Sequence, residues 1–450
     1  MPSIQHTLDE LLVRHAEHLD TRAILIDHDA IAKTPALLRD YFPTQRDWLL
    51  VVDENTWRVA GEALASALDA QQISWARYDV PDHADHPHPV CDDGTIFALR
   101  DFLKDTPHDA VIAVGSGTIN DVVKKATSLL AIPCACVATA PSMNGFTSKI
   151  AAVLSEGVKT TIAAQAPTVV VADLDIMMHA PSRMIASGLG DLISKPVSNA
   201  DWQLSALLND TFHSEEAMEV IELGARMLDG VAPKLQKQDA DAMAGLLGSL
   251  MISGLAMSIA GSSSPASGGE HLISHYIDMT GYAHLLPYDF HGCQVGVGTL
   301  TTALFYEQLF AMEPDQIDID AAIARLTTWE EKDTLLAKRF GVLHDAVRGH
   351  AIDAHPDEET LRERITRLKT RWPEVKQKVS RTLRTSADIE RELVQADAPV
   401  RFSDLGITRE RAHDAVLFSK DIRNRYTILH LAGELGKLED WTDLAIEKLY

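Results

Sequence analysis

Short continuous apolar runs alternate with segments of helical periodicity through the first part of the chain. "AILIDHDAI" and "DWLLVVDENTW" predict buried strands, and the second leads into "WRVAGEALASALDAQ", a helix. "GTIFALRDFLKD" predicts a helix, "DAVIAVGSGTINDVVKKATSLL" a strand, a glycine turn and a helix, and "IPCACVATAPS" another strand. Repeated strand–helix units with continuously apolar strands imply a mostly parallel sheet covered by helices. In "SKIAAVLSEGVKTTIAAQAPTVVVADLDIM", β-branched runs around Glu156-Gly157 predict a hairpin followed by one more buried strand. From "APSRMIASGLGDLISK" onward the pattern is helical, as in "EEAMEVIELGARMLDGV", "DAMAGLLGSLMISGLAMSIA" and "IDAAIARLTTWEEKDTLLAKRF". The expected fold is therefore α/β over residues 1–180 and all-helical over 181–450. The charged "AHPDEETLRERITRLKTRWPEVKQKVSRTL" reads as a solvated helical face, and no internal repeat or low-complexity tract is evident.

The totals narrow the function. A chain of 450 residues has room for two or three domains, and 46% apolar with 24% charged residues is a soluble globular balance. No run of eighteen apolar residues occurs, and "MPSIQHTLDELLVRHAEHLD" is too charged for a signal peptide, so a cytoplasmic protein is expected. Of the four cysteines, Cys134 and Cys136 fall in a strand and Cys91 and Cys293 stand apart, which fits a reduced compartment without disulfides. Lys and Arg number 41 against 65 Asp and Glu, a formal charge of −24. Such a surface repels nucleic acid and anionic membranes, and an anionic substrate would need a local positive pocket.

Five segments carry candidate chemistry. In "VIAVGSGTINDVVKK" a strand ends at Val114, Gly115-Ser116-Gly117 turns, and a helix is expected to open near Asn120 or Asp121. Backbone N–H groups in a glycine turn at a helix N-terminus suit a pyrophosphate, although Asn120 stands where the third glycine of a dinucleotide fingerprint would be. An ordinary strand–helix turn remains the alternative. Asp53, followed by Asn55 at the end of an earlier strand, could accept from a ribose or simply cap a helix. "GLGDLISK" sets Asp191 just inside a helix; "GGEHLISHY" stacks His271 and His275 one helical turn apart; "HGCQVGVGTL" adds His291. One carboxylate and two or three imidazoles suit a divalent ion with an open position. His83, His86 and His88, in a Pro- and Asp-rich loop, are poorer candidates.

Together "VVDENTW", "VGSGTINDVVK", "ATAPSMNGFTSKIA", "VVADLDIM", "GLGDLISK", "DWQLS", "GGEHLISHY", "HGCQVGVGTL" and "DIRNRYTIL" resemble the sn-glycerol-1-phosphate dehydrogenase family, its bacterial branch most closely. That family belongs with glycerol dehydrogenase, iron-containing alcohol dehydrogenases and 3-dehydroquinate synthase. The resemblance implies a Rossmann-like NAD- or NADP-binding domain, a helical metal-binding domain and a homodimer. It also implies one ion of zinc, nickel or iron on Asp191, His271 and His291. Gly115, Ser116, Gly117, Thr118 and Asp121 match the family's diphosphate loop, Asp53 with Asn55 the ribose end, and Thr139 and Ser142 the nicotinamide side. His275 matches a histidine near the reacting groups. Asn144 stands where the family commonly has aspartate, which keeps hydrogen bonding but removes a base, and "PYDF" before His291 looks inserted.

The reaction this resemblance implies is reduction of dihydroxyacetone phosphate to sn-glycerol 1-phosphate, with the metal polarising the ketone and His275 or metal-bound water relaying the proton. Lys149, Lys159 and Lys195 are phosphate candidates by position, and Arg423 and Arg425 fit a structural ion pair better. The alternatives are a glycerol or other polyol dehydrogenase, and a dehydroquinate synthase-like lyase or cyclase that keeps its NAD bound.

Overall fold

The computed structural model describes residues 3–450. The chain forms two compact units that interleave in sequence instead of changing over once near residue 180. The first comprises residues 1–155, 160–192 and 216–263; the second comprises 156–159, 193–215 and 264–450.

The first unit is built on a six-stranded sheet. Its strands are β1 (Ala23–Asp27), β2 (Asp47–Val52), β3 (Ser74–Asp79), β4 (Ala110–Gly115) and β5 (Cys134–Ala138). After β6 (Ile150–Ser155) and β7 (Val158–Ala163), which form a separate two-stranded sheet, β8 (Val169–Asp173) completes it in the order β1-β8-β5-β4-β2-β3. Every pairing in the sheet is parallel. β4, β5 and β8 are buried throughout, which explains why they read as unbroken apolar runs. The helices Ala30–Tyr41 and Glu62–Ala70 pack Ile31, Leu38, Leu64 and Leu68 against Trp48, Leu50, Val52 and Ile112 on one face. The chain leaves β2 outward to β3 and returns beside β2 as β4, with Val51 opposite Ala113. Strand order reverses there, and in such sheets ligands bind beyond the carboxyl ends of the strands at this reversal. Asp53 follows β2 and Gly115 ends β4.

The predicted hairpin is present as β6 and β7. Glu156 (φ 51°) and Gly157 (φ 82°) both adopt positive φ, the two-residue turn whose twist matches its strands. The helix Ala240–Ala260 is, among the described residues, the one long and apolar enough to cross a membrane, but it is almost entirely buried within the protein and serves as a core element.

The second unit is helical. Gly269–His284 carries His271 and His275, and His291–Ala311 begins with His291. Gly298 lets these two helices touch, since a Cβ there would lie 2.7 Å from the Glu270 carbonyl oxygen.

Three element boundaries differ from those the pattern predicts. The helix after β4 is Gly117–Ser128 and opens at Gly117, with Ser116 at the N-cap position but making no side-chain cap bond. Asp191 lies near the end of the helix Ser182–Ile193 and not in its first turn, since the helix starts just after Pro181 and runs through both glycines. "IDAAIARLTTWEEKDTLLAKRF" forms two helices, Ile319–Ala324 and Trp329–Phe340. Thr328 and Glu331 start the second by exchanging side-chain and backbone hydrogen bonds as a capping box.

Candidate active site

At the carboxyl end of β4 the glycine turn packs tightly against the helix that follows. A Cβ on Gly115 would lie 2.6 Å from Ile119 Cβ, so the first turn of the Gly117–Ser128 helix sits directly on the strand end. Ser116 does not cap that helix with its side chain. Its Oγ donates to the Ala140 carbonyl at 3.1 Å and pairs with Ser142 Oγ at 2.6 Å. No acid occupies the first turn, so the N–H groups and helix dipole keep their positive character, which fits a diphosphate. Thr118 is half-buried in this turn and Thr139 is buried just beyond β5. Asn120 is fully buried, and neither of its amide atoms has a hydrogen-bond partner.

Asp121 and Asp53 both have visible structural roles. Asp121 accepts from Lys124 Nζ at 3.0 Å and from Ala152 N at 2.9 Å. Lys124, wholly buried, donates onward to the Gly145 carbonyl and Ser148 Oγ, so the pair ties the segment after β5 to the helix. Asp53 caps the helix Glu54–Thr56, accepting from Thr56 N at 2.7 Å in a capping box, and Asn55 is exposed in that turn.

The segment from Thr139 to Gly145 links the glycine turn to Asp191 within the same unit. Ser142 meets Ser116 through its hydroxyl and accepts from Ser187 Oγ at 2.8 Å through its carbonyl. Two residues on, Asn144 donates from its backbone N to Asp191 Oδ2 at 3.0 Å and from Nδ2 to Asp191 Oδ1 at 3.1 Å; Nδ2 also reaches Ser253 Oγ at 3.2 Å. Gly188 is needed for this approach, because a Cβ there would stand 1.8 Å from the Pro141 carbonyl oxygen. The departure at Asn144 therefore has a physical account: the amide presents N–H to a buried carboxylate, where an aspartate would add a second negative charge.

In the second unit three imidazoles converge. The ring centroids of His271 and His275 are 6.1 Å apart, those of His271 and His291 5.1 Å, and those of His275 and His291 5.5 Å. His271 Nδ1 bonds Glu270 Oε1 at 2.8 Å and His291 Nδ1 pairs with Ser274 Oγ at 3.0 Å. Anchoring a ring at Nδ1 orients its Nε2, the arrangement typical of metal-binding histidines. His275 differs: its Nδ1 is buried without a hydrogen-bond partner. Burial first, then the charges of Arg423, His291, His271 and Lys159, hold its proton affinity well below the ordinary imidazole range. It is a neutral imidazole at neutral pH.

Asp201 sets this geometry. It accepts from Gly269 N at 2.7 Å, Ile428 N at 2.7 Å and Tyr306 Oη at 2.6 Å. Burial, followed by the nearby Glu270, pushes its carboxyl up to about 7, while those three bonds pull it back. Asp201 stands in "DWQLS" and Glu270 beside His271, so both lie within motifs that carry the resemblance, but only their partners reveal what they hold in place.

The remaining candidates separate cleanly. Lys149 forms a half-exposed ion pair with Asp20 at 2.9 Å, and buried Lys195 donates to the Ala266 carbonyl at 3.0 Å. Arg425 donates to the Ser267 carbonyl at 2.6 Å and lies within the charge range of Glu270 and Asp201. His83, His86 and His88 neighbour one another, with centroids 5.3 and 5.7 Å apart along the row, on a loop of the first unit.

A parallel sheet with a glycine turn at its reversal point and a helical unit with grouped imidazoles define a metal-containing alcohol dehydrogenase. A family model described as iron-containing alcohol dehydrogenase matches residues 25–181. The glycerol-1-phosphate dehydrogenase of Geobacillus thermodenitrificans is 33% identical over 66% of this chain and 72% of that protein, and the one of Bacillus velezensis 29% identical over 87% and 86%. The chain belongs to the glycerol-1-phosphate dehydrogenase family. Among solved structures, the glycerol dehydrogenase of Schizosaccharomyces pombe superposes with a TM-score of 0.61 at 13% identity, covering 95% of this chain and 91% of that one, a likeness of fold.

Two substitutions test these networks. Asp201→Ala strands three buried donors and should cost about 3 kcal/mol or more in urea-unfolding stability; a change under about 1 kcal/mol would show that the three bonds are not holding the unit. Asn144→Asp should destabilise the metal-free protein by about 2 kcal/mol at neutral pH, whereas unchanged stability would mean Asn144 is not the partner that holds Asp191.

Proposed function

We propose that this chain catalyses the reversible NAD(P)H-linked reduction of dihydroxyacetone phosphate to sn-glycerol 1-phosphate, with one divalent ion held by Asp191, His271 and His291. The observation that carries it is kinship with curated glycerol-1-phosphate dehydrogenases across most of their length. The three ligands are also the group of Asp, Glu, His and Cys side chains that, among the described residues, could hold a metal ion. Their donor set fits: one carboxylate steadied by Asn144 and two imidazoles steadied at Nδ1 by Glu270 and Ser274. A mixed carboxylate–imidazole set accepts zinc, nickel or iron.

When bound, the nicotinamide supplies the hydride and the ion polarises the C2 carbonyl or acidifies the C2 hydroxyl. The chain's own residues do the rest. The N–H groups of the Gly115–Gly117 turn bind the diphosphate, Asp53 and Asn55 face the ribose, and Thr139 and Ser142 support the nicotinamide end. Asn144 positions Asp191, a role in which an amide serves and a second carboxylate would not. His275, kept neutral by burial and its cationic neighbours, relays a proton. Its ring gives one to the C2 oxygen as the other ring nitrogen takes one up, and the reverse direction runs the same exchange backward, so the imidazole begins and ends neutral.

An anaerobic assay after metal reconstitution decides the matter. Net NADH or NADPH consumption with dihydroxyacetone phosphate is expected, with far lower kcat/KM for dihydroxyacetone. Asp191→Ala and His271→Ala should each lose bound metal and at least about 100-fold in kcat/KM. Activity confined to unphosphorylated ketones, turnover without net change in NADH, or full activity and metal content in both variants would refute the proposal.

A further inference from the structure

We propose that Arg411 is a positioning residue for His291: its guanidinium fastens the turn that contains the inserted "PYDF" and so fixes where the helix opened by His291 begins. That His291 is a metal ligand rests on the function proposed above; the hold of Arg411 on the turn does not. All the residues concerned lie in the second unit. Arg411 stands in the first turn of the helix Arg409–Phe418, a third element besides the two that carry the imidazoles. Its side chain reaches both ends of the turn. Nη2 donates to the Ile277 carbonyl at 2.6 Å and to Thr280 Oγ1 at 3.1 Å, Nε donates to Thr280 Oγ1 at 3.3 Å, and Nη1 donates to the Pro287 carbonyl. The bonds to Ile277 and Thr280 grip the last turns of the Gly269–His284 helix, and the bond to Pro287 grips the insertion.

That grip matters because burial does little to hold the turn: Leu285 is 66% exposed, Leu286 40% and Phe290 43%. Leu285 also takes left-handed backbone (φ 52°), which a leucine adopts rarely and at a cost. Pro287 has its φ locked by its ring, so a bond to its carbonyl fixes the direction in which the chain leaves toward His291. Beyond it, Phe290 gives the His291–Ala311 helix no side-chain cap, and an uncapped first turn frays. His291 is the first residue of that turn, and its ring meets Ser274 Oγ at 3.0 Å. Gly281 makes room for the arrangement. A Cβ there would lie 2.9 Å from Tyr288 Cδ1 and 3.2 Å from Arg411 Nη2. The missing side chain admits both the tyrosine of the insertion and the guanidinium, and Tyr288 packs against Tyr282 with ring centroids 4.9 Å apart. "PYDF" is therefore a fastened segment, and its end is the point at which His291 enters the imidazole cluster.

Amide hydrogen exchange of the full chain, together with its zinc affinity measured by competition with a chelator, tests this in Arg411→Met and Arg411→Lys. Arg411→Met keeps the apolar stem and removes every donor. It should speed exchange over residues 285–294 at least about tenfold, with amides elsewhere within about threefold. It should also weaken zinc binding about tenfold or more. Arg411→Lys, which keeps the charge but cannot fork across both ends of the turn, should fall between. Val375→Ala, a core substitution elsewhere in the unit, controls for general destabilisation and should change neither reading. Gly281→Ala favours helix by intrinsic propensity yet crowds Tyr288 and Arg411, so it should loosen the same residues and weaken zinc binding. That variant keeps the test decisive if the Arg411 proteins misfold: Gly281→Ala without either effect would then overturn the proposal. Unchanged exchange over 285–294 in Arg411→Met overturns the hold on the turn. Loosened exchange with wild-type zinc affinity, while His291→Ala has lost zinc, overturns the role in placing His291. Should His291→Ala bind zinc as tightly as the wild type, the ligand reading falls, and exchange still decides whether Arg411 holds the turn.

Discussion

Asp201 accepts hydrogen bonds from three separate elements of the helical unit, two of which carry the three clustered imidazoles. Gly269 N begins the helix with His271 and His275, Tyr306 lies on the helix that His291 opens, and Ile428 begins the helix just after Arg423 and Arg425. A single buried carboxylate thus sets the starting points of the imidazole cluster and of the arginine segment. The crowding is severe: a Cβ on Gly268 would lie 2.6 Å from Asp201 Oδ2, which accounts for the glycines before Glu270. An acid buried this way is tolerated because all its bonds come from donors that would otherwise be stranded.

The first unit solves a parallel problem around another buried acid, Asp191. The segment after β5 is held at two points: Ser142 by Ser116 and Ser187, Asn144 by its bonds to Asp191. One short segment therefore links the glycine turn to a candidate metal ligand. Lys124 and Asp121 brace the segment from below.

Much of the fold was legible in the sequence because parallel strands buried on both faces leave unmistakable apolar runs, as "VIAVG", "CACVA" and "VVVAD" did. The hairpin was legible from Glu156-Gly157, whose residues adopt the positive φ the turn needs. Boundaries were less so. The helix opens at Gly117 without a side-chain cap, because the Ser116 hydroxyl is engaged with Ala140 and Ser142, tertiary partners that no local pattern contains. The candidate residues were legible as types at recognisable positions, but their division of labour was not. Asn144 reads in sequence as a weakened base, and only the fold turns its amide toward Asp191. Arg423 and Arg425 look equivalent in "DIRNRYT", and only the fold sends one to the Lys159 carbonyl and the other to the Ser267 carbonyl.

The central claim is hydride transfer to C2 of a phosphorylated ketone on a metal-dependent dehydrogenase scaffold. Reduction of dihydroxyacetone phosphate with NADH or NADPH deuterated at the nicotinamide C4, with isotopic and chiral analysis of the product, tests it most directly. The account predicts one deuterium at C2, from one face of the nicotinamide only, in sn-glycerol 1-phosphate. Product of the sn-3 configuration, or product without deuterium at C2, would contradict it.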